Sequence, residues 1–262
     1  MKRERPPASP SDVFAPAELG PVRLKNRFLK AATFEGLARG GQVTDALVRF
    51  HRAFAEGGVA LTTLAYCAVS EDGRGAPNEV VVGPHSAAGL RRLAAAVHEA
   101  GAAVSIQLGH AGPVGITVGQ GLGPSRRWVG RALRFLRAAT EDDLRRITAA
   151  FAEAAGIAAD CGFDAIELHF GHGYLVSAFL SPRLNQRRDA WGGDLAGRAR
   201  LAREVASAVR ERVGKQVAVF AKLNMSDGVP GGLALEESVQ VAQWLERDGT
   251  LDALELTGGS SF

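Results

Sequence analysis

Short runs of apolar and β-branched residues alternate along the chain with longer stretches whose apolar positions recur every three or four residues. The short runs read as strands: Phe28–Thr33, Val59–Val69, Ala103–Leu108, Asp164–Phe170, Val217–Leu223 and Ala253–Thr257. The segments between them have helical spacing and recognisable ends. Thr44 is placed to cap a helix with Leu47, Phe50 and Phe54 on one face, closed by Gly57 and Gly58. Ser86 is placed to cap the next, which carries Leu90, Leu93 and Val97 and stops at Gly101. Thr140 precedes Glu141, Asp142 and Asp143, acidic side chains in a first turn whose free amides favour them. Two further helices are predicted from about Leu195 to Val213, ended by Gly214, and from about Glu236 to Arg247, before Gly249.

Strand, helix, strand repeated in this way implies parallel strands joined by right-handed crossovers. Two α/β architectures satisfy it: an open doubly wound sheet, and a (β/α)8 TIM barrel with about six of its eight units present. Gln107, His169, Lys222 and Thr257 all fall at the C-terminal ends of strands, where barrel enzymes place their chemistry. An open sheet binds ligands at the same edge, so the alternation by itself leaves both open. Residues 1–12 are rich in proline and read as a disordered tail, with residues 13–262 forming one domain. The stretch from about Gly109 to Ala139 is a long connection rich in glycine and arginine, a substrate-contacting excursion or else disordered.

Composition narrows the function. With 46% hydrophobic and 23% charged residues, the 262-residue chain has the makings of a sizeable core. Its 31 basic residues are dispersed among 28 acidic ones, with no stripe for nucleic acid. No apolar run reaches the roughly 18 residues of a membrane span, and no apolar stretch follows the basic N-terminus as in a secretory leader. A cytoplasmic protein with a small-molecule substrate is expected, and self-association into a homo-oligomer stays open. Cys67 and Cys161 lie far apart, in neither a disulfide nor a metal-ligand spacing. There is no P-loop, no strand-linked G-x-G-x-x-G and no nucleophile elbow.

The stretch from His169 to Gly193, HFGHGYLVSAFLSPRLNQRRDAWGG, carries the densest chemistry. His169 and His172 sit where a strand gives way to a loop, so both can project over the barrel mouth as neutral donors to a carbonyl or anionic oxygen. Tyr174 offers a phenolic proton beside them. Paired donors next to a proton donor suit protonation of a carbon adjacent to a polarised carbonyl. The spacing His-x-x-His would need a third ligand to hold zinc, and none is nearby, so no metal is expected. Gln107 ends a strand with an amide that donates and accepts at once, as the edge of a planar heterocycle requires. Lys222 interrupts the apolar strand VAVFAKLN, and its ammonium there would stabilise negative charge on a ligand above it.

These blocks, in order, resemble the Old Yellow Enzyme family of FMN-dependent NADH:flavin oxidoreductases and NADH oxidases. The resemblance runs from about Phe14 to Phe262, through LGPVRLKNRFLKAAT, AEGGVALTT, EDGRGAPN, AVHEAGAAVSIQLGHAG, the block around His169, VAVFAKLNMSDG and LDALELTGG. It implies FMN across the mouth of a TIM barrel, with NADH or NADPH as reductant and an electron-poor alkene or similar acceptor. By position it implies that Ala31, Ala32, Thr33 and Phe34 line the flavin from the first strand and that Tyr66 approaches it from the second. Gln107 would meet the pyrimidine edge and Lys222 the N1 and O2 side. His169 and His172 would bind the acceptor's carbonyl oxygen and Tyr174 would protonate its α carbon. There are departures. Lys222 stands where arginine is frequent, Phe34 where threonine or cysteine tunes the flavin, and Pro113 where an arginine follows His-Ala-Gly. The iron–sulfur branch's four-cysteine cluster is absent.

LELTGGSSF corresponds to the sixth strand, so a fragment of a longer barrel is expected, lacking the phosphate loops after strands seven and eight. The alternative reading is a non-catalytic barrel fragment or interaction module, acting through open sheet edges. A third reading is a metal-dependent hydrolase built on His169 and His172.

Overall fold

The computed structural model describes residues 10–115, 121–129 and 134–261. The chain opens with a single 3-10 turn, Pro10–Phe14, and a hairpin of β1 (Ala17–Leu19) and β2 (Val22–Leu24). There follow β3 (Leu29–Lys30), α1 (Asp45–Glu56), β4 (Leu61–Ala68), the short β5 (Val80–Val81), α2 (Ala87–Glu99) and β6 (Ala103–Gly109). A small satellite sheet of β7 (Gly121–Gly123), β8 (Arg127–Val129) and β9 (Arg134–Ala138) precedes α3 (Glu141–Asp160). The chain continues through β10 (Ala165–Phe170), α4 (Leu175–Leu180), α5 (Leu195–Val213), β11 (Ala218–Asn224), α6 (Leu235–Asp248) and β12 (Ala253–Thr257).

The main sheet runs β3-β4-β6-β10-β11-β12, every pair parallel, with β5 added at the upper end of β4. Barrel strands therefore neighbour one another in chain order. A doubly wound sheet reverses order at a switch point, so the topology is that of a TIM barrel wall, six strands of it.

Alternation along each strand sorts its side chains onto two faces. Val104, Ile106, Leu108, Ile166, Leu168, Phe170, Val219, Ala221 and Leu223 point outward into the core shared with the helices. The inward face begins with a small apolar floor of Leu61, Ala165, Ala218 and Phe220, plugged by Leu19 and Leu24 of the β1–β2 hairpin. Above that floor the inward residues turn polar. Ser105, Gln107, Glu167, His169 and Lys222 are all buried there.

Local signals explain most element ends. Thr140 and Asp143 form a capping box at the start of α3, and Arg137 clamps the Asp143 carboxylate at 2.5 and 2.7 Å. Asp194 caps α5 through the Gly197 N–H, and Gly214 and Gly249 end α5 and α6 at positive φ, where a side chain would be strained.

Five expectations need correction. Only Leu29 and Lys30 of the predicted Phe28–Thr33 strand are ladder-paired. The inward face of α1 is Leu47, His51 and Ala55 rather than Leu47, Phe50 and Phe54. Phe50 and Phe54 instead pack edge-on and lie under the Lys30 ammonium, 5.2 and 5.9 Å away. Ser86 occupies the N-cap of α2, but its side chain makes no capping bond; its hydroxyl closes a turn with the Gly83 backbone. The described residues of the Gly109–Ala139 connection carry β7, β8 and β9 rather than being disordered, whereas residues 116–120 and 130–133 lie outside the described residues. In the predicted N-terminal tail, residues 10–12 belong to the 3-10 turn, whereas residues 1–9 lie outside the described residues. Among the described residues no helix is long and apolar enough to cross a membrane.

Candidate functional site

Adjacent strands bring the polar inward residues into two rows. Glu167 of β10 lies in register with Gln107 of β6, and the Gln107 amide donates to its Oε1 at 2.8 Å. One step higher, Lys222 of β11 lies between His169 of β10 and Glu255 of β12. The Lys222 ammonium pairs with the Glu255 carboxylate and stands 3.4 Å from Glu167 Oε1. A lone ammonium could not stay at this depth without such partners. Both carboxylates escaped the sequence reading. Their signal was present: Glu167 interrupts an apolar strand just as Lys222 does.

His169, in the upper row, is the centre of an aromatic cluster. The His169 ring is 4.5 Å from Tyr174, 5.2 Å from His172 and 6.2 Å from Tyr66, and Tyr66 is 5.1 Å from Tyr174. His172 takes a left-handed backbone at φ 60° just past the strand. Asn224 of β11 holds its N–H at 3.1 Å, and Thr257 of β12 pairs with its Nε2 at 2.8 Å. Thus His172 is oriented by two neighbouring strands. The Tyr66 hydroxyl donates to the Gly73 carbonyl at 3.1 Å.

The ledge after β3 is mixed. Ala32 packs on Ala65, Tyr66, Ala68 and Val81, as Tyr174 does, whereas Ala31, Thr33 and Phe34 stand exposed.

Burial sets the protonation states. It pushes His169 well below the ordinary imidazole range, helped by His172 and Lys222, and lowers His172 as well, so both are neutral near pH 7. It pushes the Tyr174 phenol up to about 12 and Tyr66 well up, with Glu79 adding to both. Each phenol therefore keeps its proton. Burial also raises Glu167 to about 7 against the pull of Lys222. Among the described residues no group of three His, Cys, Asp or Glu side chains is arranged to hold a metal ion.

A planar heterocycle fits these donors. Buried His169 Nδ1 and Glu167 Oε2 have no hydrogen-bond partner within the protein, a costly state unless something else meets or excludes them. A primary amide and an ammonium stand beside them, and Ala31, Thr33 and Phe34 are exposed on the ledge after β3.

Comparison with known proteins is consistent across sequence and structure. Residues 12–254 match the family described as NADH:flavin oxidoreductase / NADH oxidase. The chain is 50% identical over 253 residues to a Rhodococcus erythropolis protein named 4,4'-dithiodibutanoate disulfide reductase, covering 95% of this chain and 63% of that one. It is 31% identical to an NADPH dehydrogenase of Listeria monocytogenes, covering 95% of this chain and 74% of that protein. A solved 2-naphthoyl-CoA reductase in complex with 2-naphthoyl-CoA superposes with a TM-score of 0.92 at 27% identity, over 96% of this chain and 41% of that chain.

Proposed function

The chain belongs to the NADH:flavin oxidoreductase / NADH oxidase family, and from that premise we propose that it is the catalytic barrel portion of an NAD(P)H-dependent FMN oxidoreductase acting on an electron-poor alkene or similar acceptor. The observation that carries this reading is the convergence of Tyr174, His169 and His172 beside Lys222 and one inward step above Gln107.

FMN, when bound, supplies hydride transfer from NADH or NADPH to the acceptor. The residues that would hold it are Gln107 at a hydrogen-bonding edge, Lys222 beside developing negative charge, and Ala31, Ala32, Thr33, Phe34 and Tyr66 around the ring. His169 and His172, both neutral, would donate to the acceptor's carbonyl oxygen and draw electron density toward it. Tyr174 keeps its phenolic proton across the physiological range and would pass it to the α carbon.

A second reading concerns the acceptor. The 50%-identical relative is named for a disulfide substrate, and reduction of a disulfide releases thiolates, which leave without help from a strong acid. The two acceptors make different demands on Tyr174. Purified protein is loaded with FMN, and NAD(P)H oxidation is followed with an activated enone and with 4,4'-dithiodibutanoate. Tyr174→Phe should slow enone turnover by about 10²–10⁴-fold, while reduction of the flavin by NAD(P)H continues. Disulfide turnover insensitive to the variant would favour the second acceptor. A folded protein that neither perturbs the flavin spectrum nor oxidises NAD(P)H would refute both.

A further inference from the structure

The barrel wall beneath Tyr66 is irregular, and a second buried cluster grips it from behind. The register of β4 against β6 shifts between Leu64 and Cys67, so backbone groups at Ala65 and Tyr66 leave the ladder between those strands. Such groups need partners elsewhere. Glu35 supplies both for Ala65: its carboxylate Oε2 accepts the Ala65 N–H at 3.0 Å, and its own N–H donates to the Ala65 carbonyl at 3.4 Å. Lys30 donates to the Thr63 carbonyl at 3.2 Å and to Glu35 Oε1 at 2.5 Å. From α1, His51 Nδ1 pairs with the Thr62 hydroxyl at 2.8 Å. Three side chains thus converge on the four residues that lead into Tyr66. The Glu35 and His51 side chains are 1% and 0% exposed.

One atom in this cluster is left over. His51 Nε2 is buried without a hydrogen-bond partner and lies 3.6 Å from Glu35 Oε1. Both Glu35 oxygens already accept N–H donors. A proton added to that carboxyl therefore needs a new acceptor, and His51 Nε2 is within reach of a small shift.

We propose that Glu35 is a positioning residue: through Ala65 it sets Tyr66 against His169 and Tyr174, and a proton shared between Glu35 and His51 adjusts that hold. The groups facing Glu35 are Lys30 from β3, His51 from α1 and the Cys67 thiol from β4, with Glu79 beyond Cys67. Burial raises Glu35 to about 7 against the attraction of Lys30, and burial with Lys30 lowers His51 to about 3. When the pair holds a proton, that proton therefore resides on the carboxyl and is donated to the imidazole. That Tyr66 borders a flavin rests on the function proposed above; the brace itself does not.

The chain has two tyrosines, so isotope-labelled tyrosine rings yield one signal from Tyr66 and one from Tyr174. Each is assigned with its Tyr→Phe variant. The protein is titrated without flavin between about pH 5 and 8.5, a window that spans the Glu35 transition. The Tyr66 signal should shift with a midpoint near 7. Glu35→Gln should abolish that shift with circular dichroism unchanged, and Glu167→Gln, which removes the other carboxyl raised to about 7, should preserve it. A Tyr66 signal that stays flat in the unaltered chain, or titrates unchanged in Glu35→Gln, overturns the proposal. If Glu35→Gln does not fold, Glu167→Gln decides: loss of the shift there assigns it to the other carboxyl and equally overturns it. A normal Tyr66 response in a chain that binds no FMN would count against the flavin reading and leave the brace supported.

Discussion

Two lysine–carboxylate clusters stand on opposite faces of the same barrel wall. Behind the wall, Lys30, Glu35 and His51 are sealed between β3, β4 and α1; inside the mouth, Lys222, Glu167, Glu255 and Gln107 line β6, β10, β11 and β12. In each, burial raises a glutamate to about 7 against its lysine. Their surroundings differ. The outer cluster spends three of its hydrogen bonds on the backbone of β4, at Thr63 and Ala65, and its one spare atom faces its own carboxylate. The inner cluster touches side chains of neighbouring strands, and Glu167 Oε2 and His169 Nδ1 are left unpaired there. The same pair of charges is a brace where its partners are backbone, and a ligand platform where polar atoms remain unmet.

Removing the cations should separate the two most sharply. Lys222→Met leaves the buried Glu167 beside the partly exposed Glu255 without a cation, and should cost about 3–5 kcal/mol in denaturant unfolding. Adding Glu167→Gln to that variant should restore part of the loss. Lys30→Met should cost less, about 2–3 kcal/mol: either glutamate can take up a proton, but Glu35 has the unpaired His51 Nε2 within reach to receive it. Equal losses in the two variants would erase the distinction between the clusters.

A smaller effect comes from pH. Both glutamates hold their proton more tightly when folded than at the ordinary 4.5, so their contribution to stability is full below 4.5 and is lost as pH rises through 7. Unfolding measured across that window should show falling stability, flattened only in part by Glu35→Gln or Glu167→Gln alone. Asp143, held down by Arg137, acts at lower pH and with opposite sign. The smallest change is a control outside both clusters: Thr140→Ala removes the α3 cap and should cost about 1 kcal/mol, with the tyrosine signals unmoved.

Much of the wall was legible from periodicity, because apolar side chains facing the helices recur with the pleat whatever the fold around them. The six strands, five of the helices, and Gln107, His169, Lys222 and Thr257 at strand ends follow from that pattern alone. So do the capping threonines at Thr44 and Thr140, whose side chains need only their own first turn. Where prediction erred, the deciding partner was distant in sequence. Phe50 and Phe54 were expected to face the core, but His51 takes that place because Thr62 lies opposite and Lys30 draws both rings toward itself. Glu167 interrupts its apolar strand, but the role of Glu167 and Glu255 as partners of Lys222 depends on contacts between neighbouring strands.

The order of apolar and polar residues therefore determined the elements, the faces they bury and the edge at which chemistry collects. Tertiary structure decided that these strands adjoin in chain order around one hollow. It also decided which charges meet across the wall and which buried atoms lack a partner. The reason is reach: helix and strand patterns act within a turn or a pleat, whereas a buried charge takes its state from whatever long-range folding sets a few ångströms away.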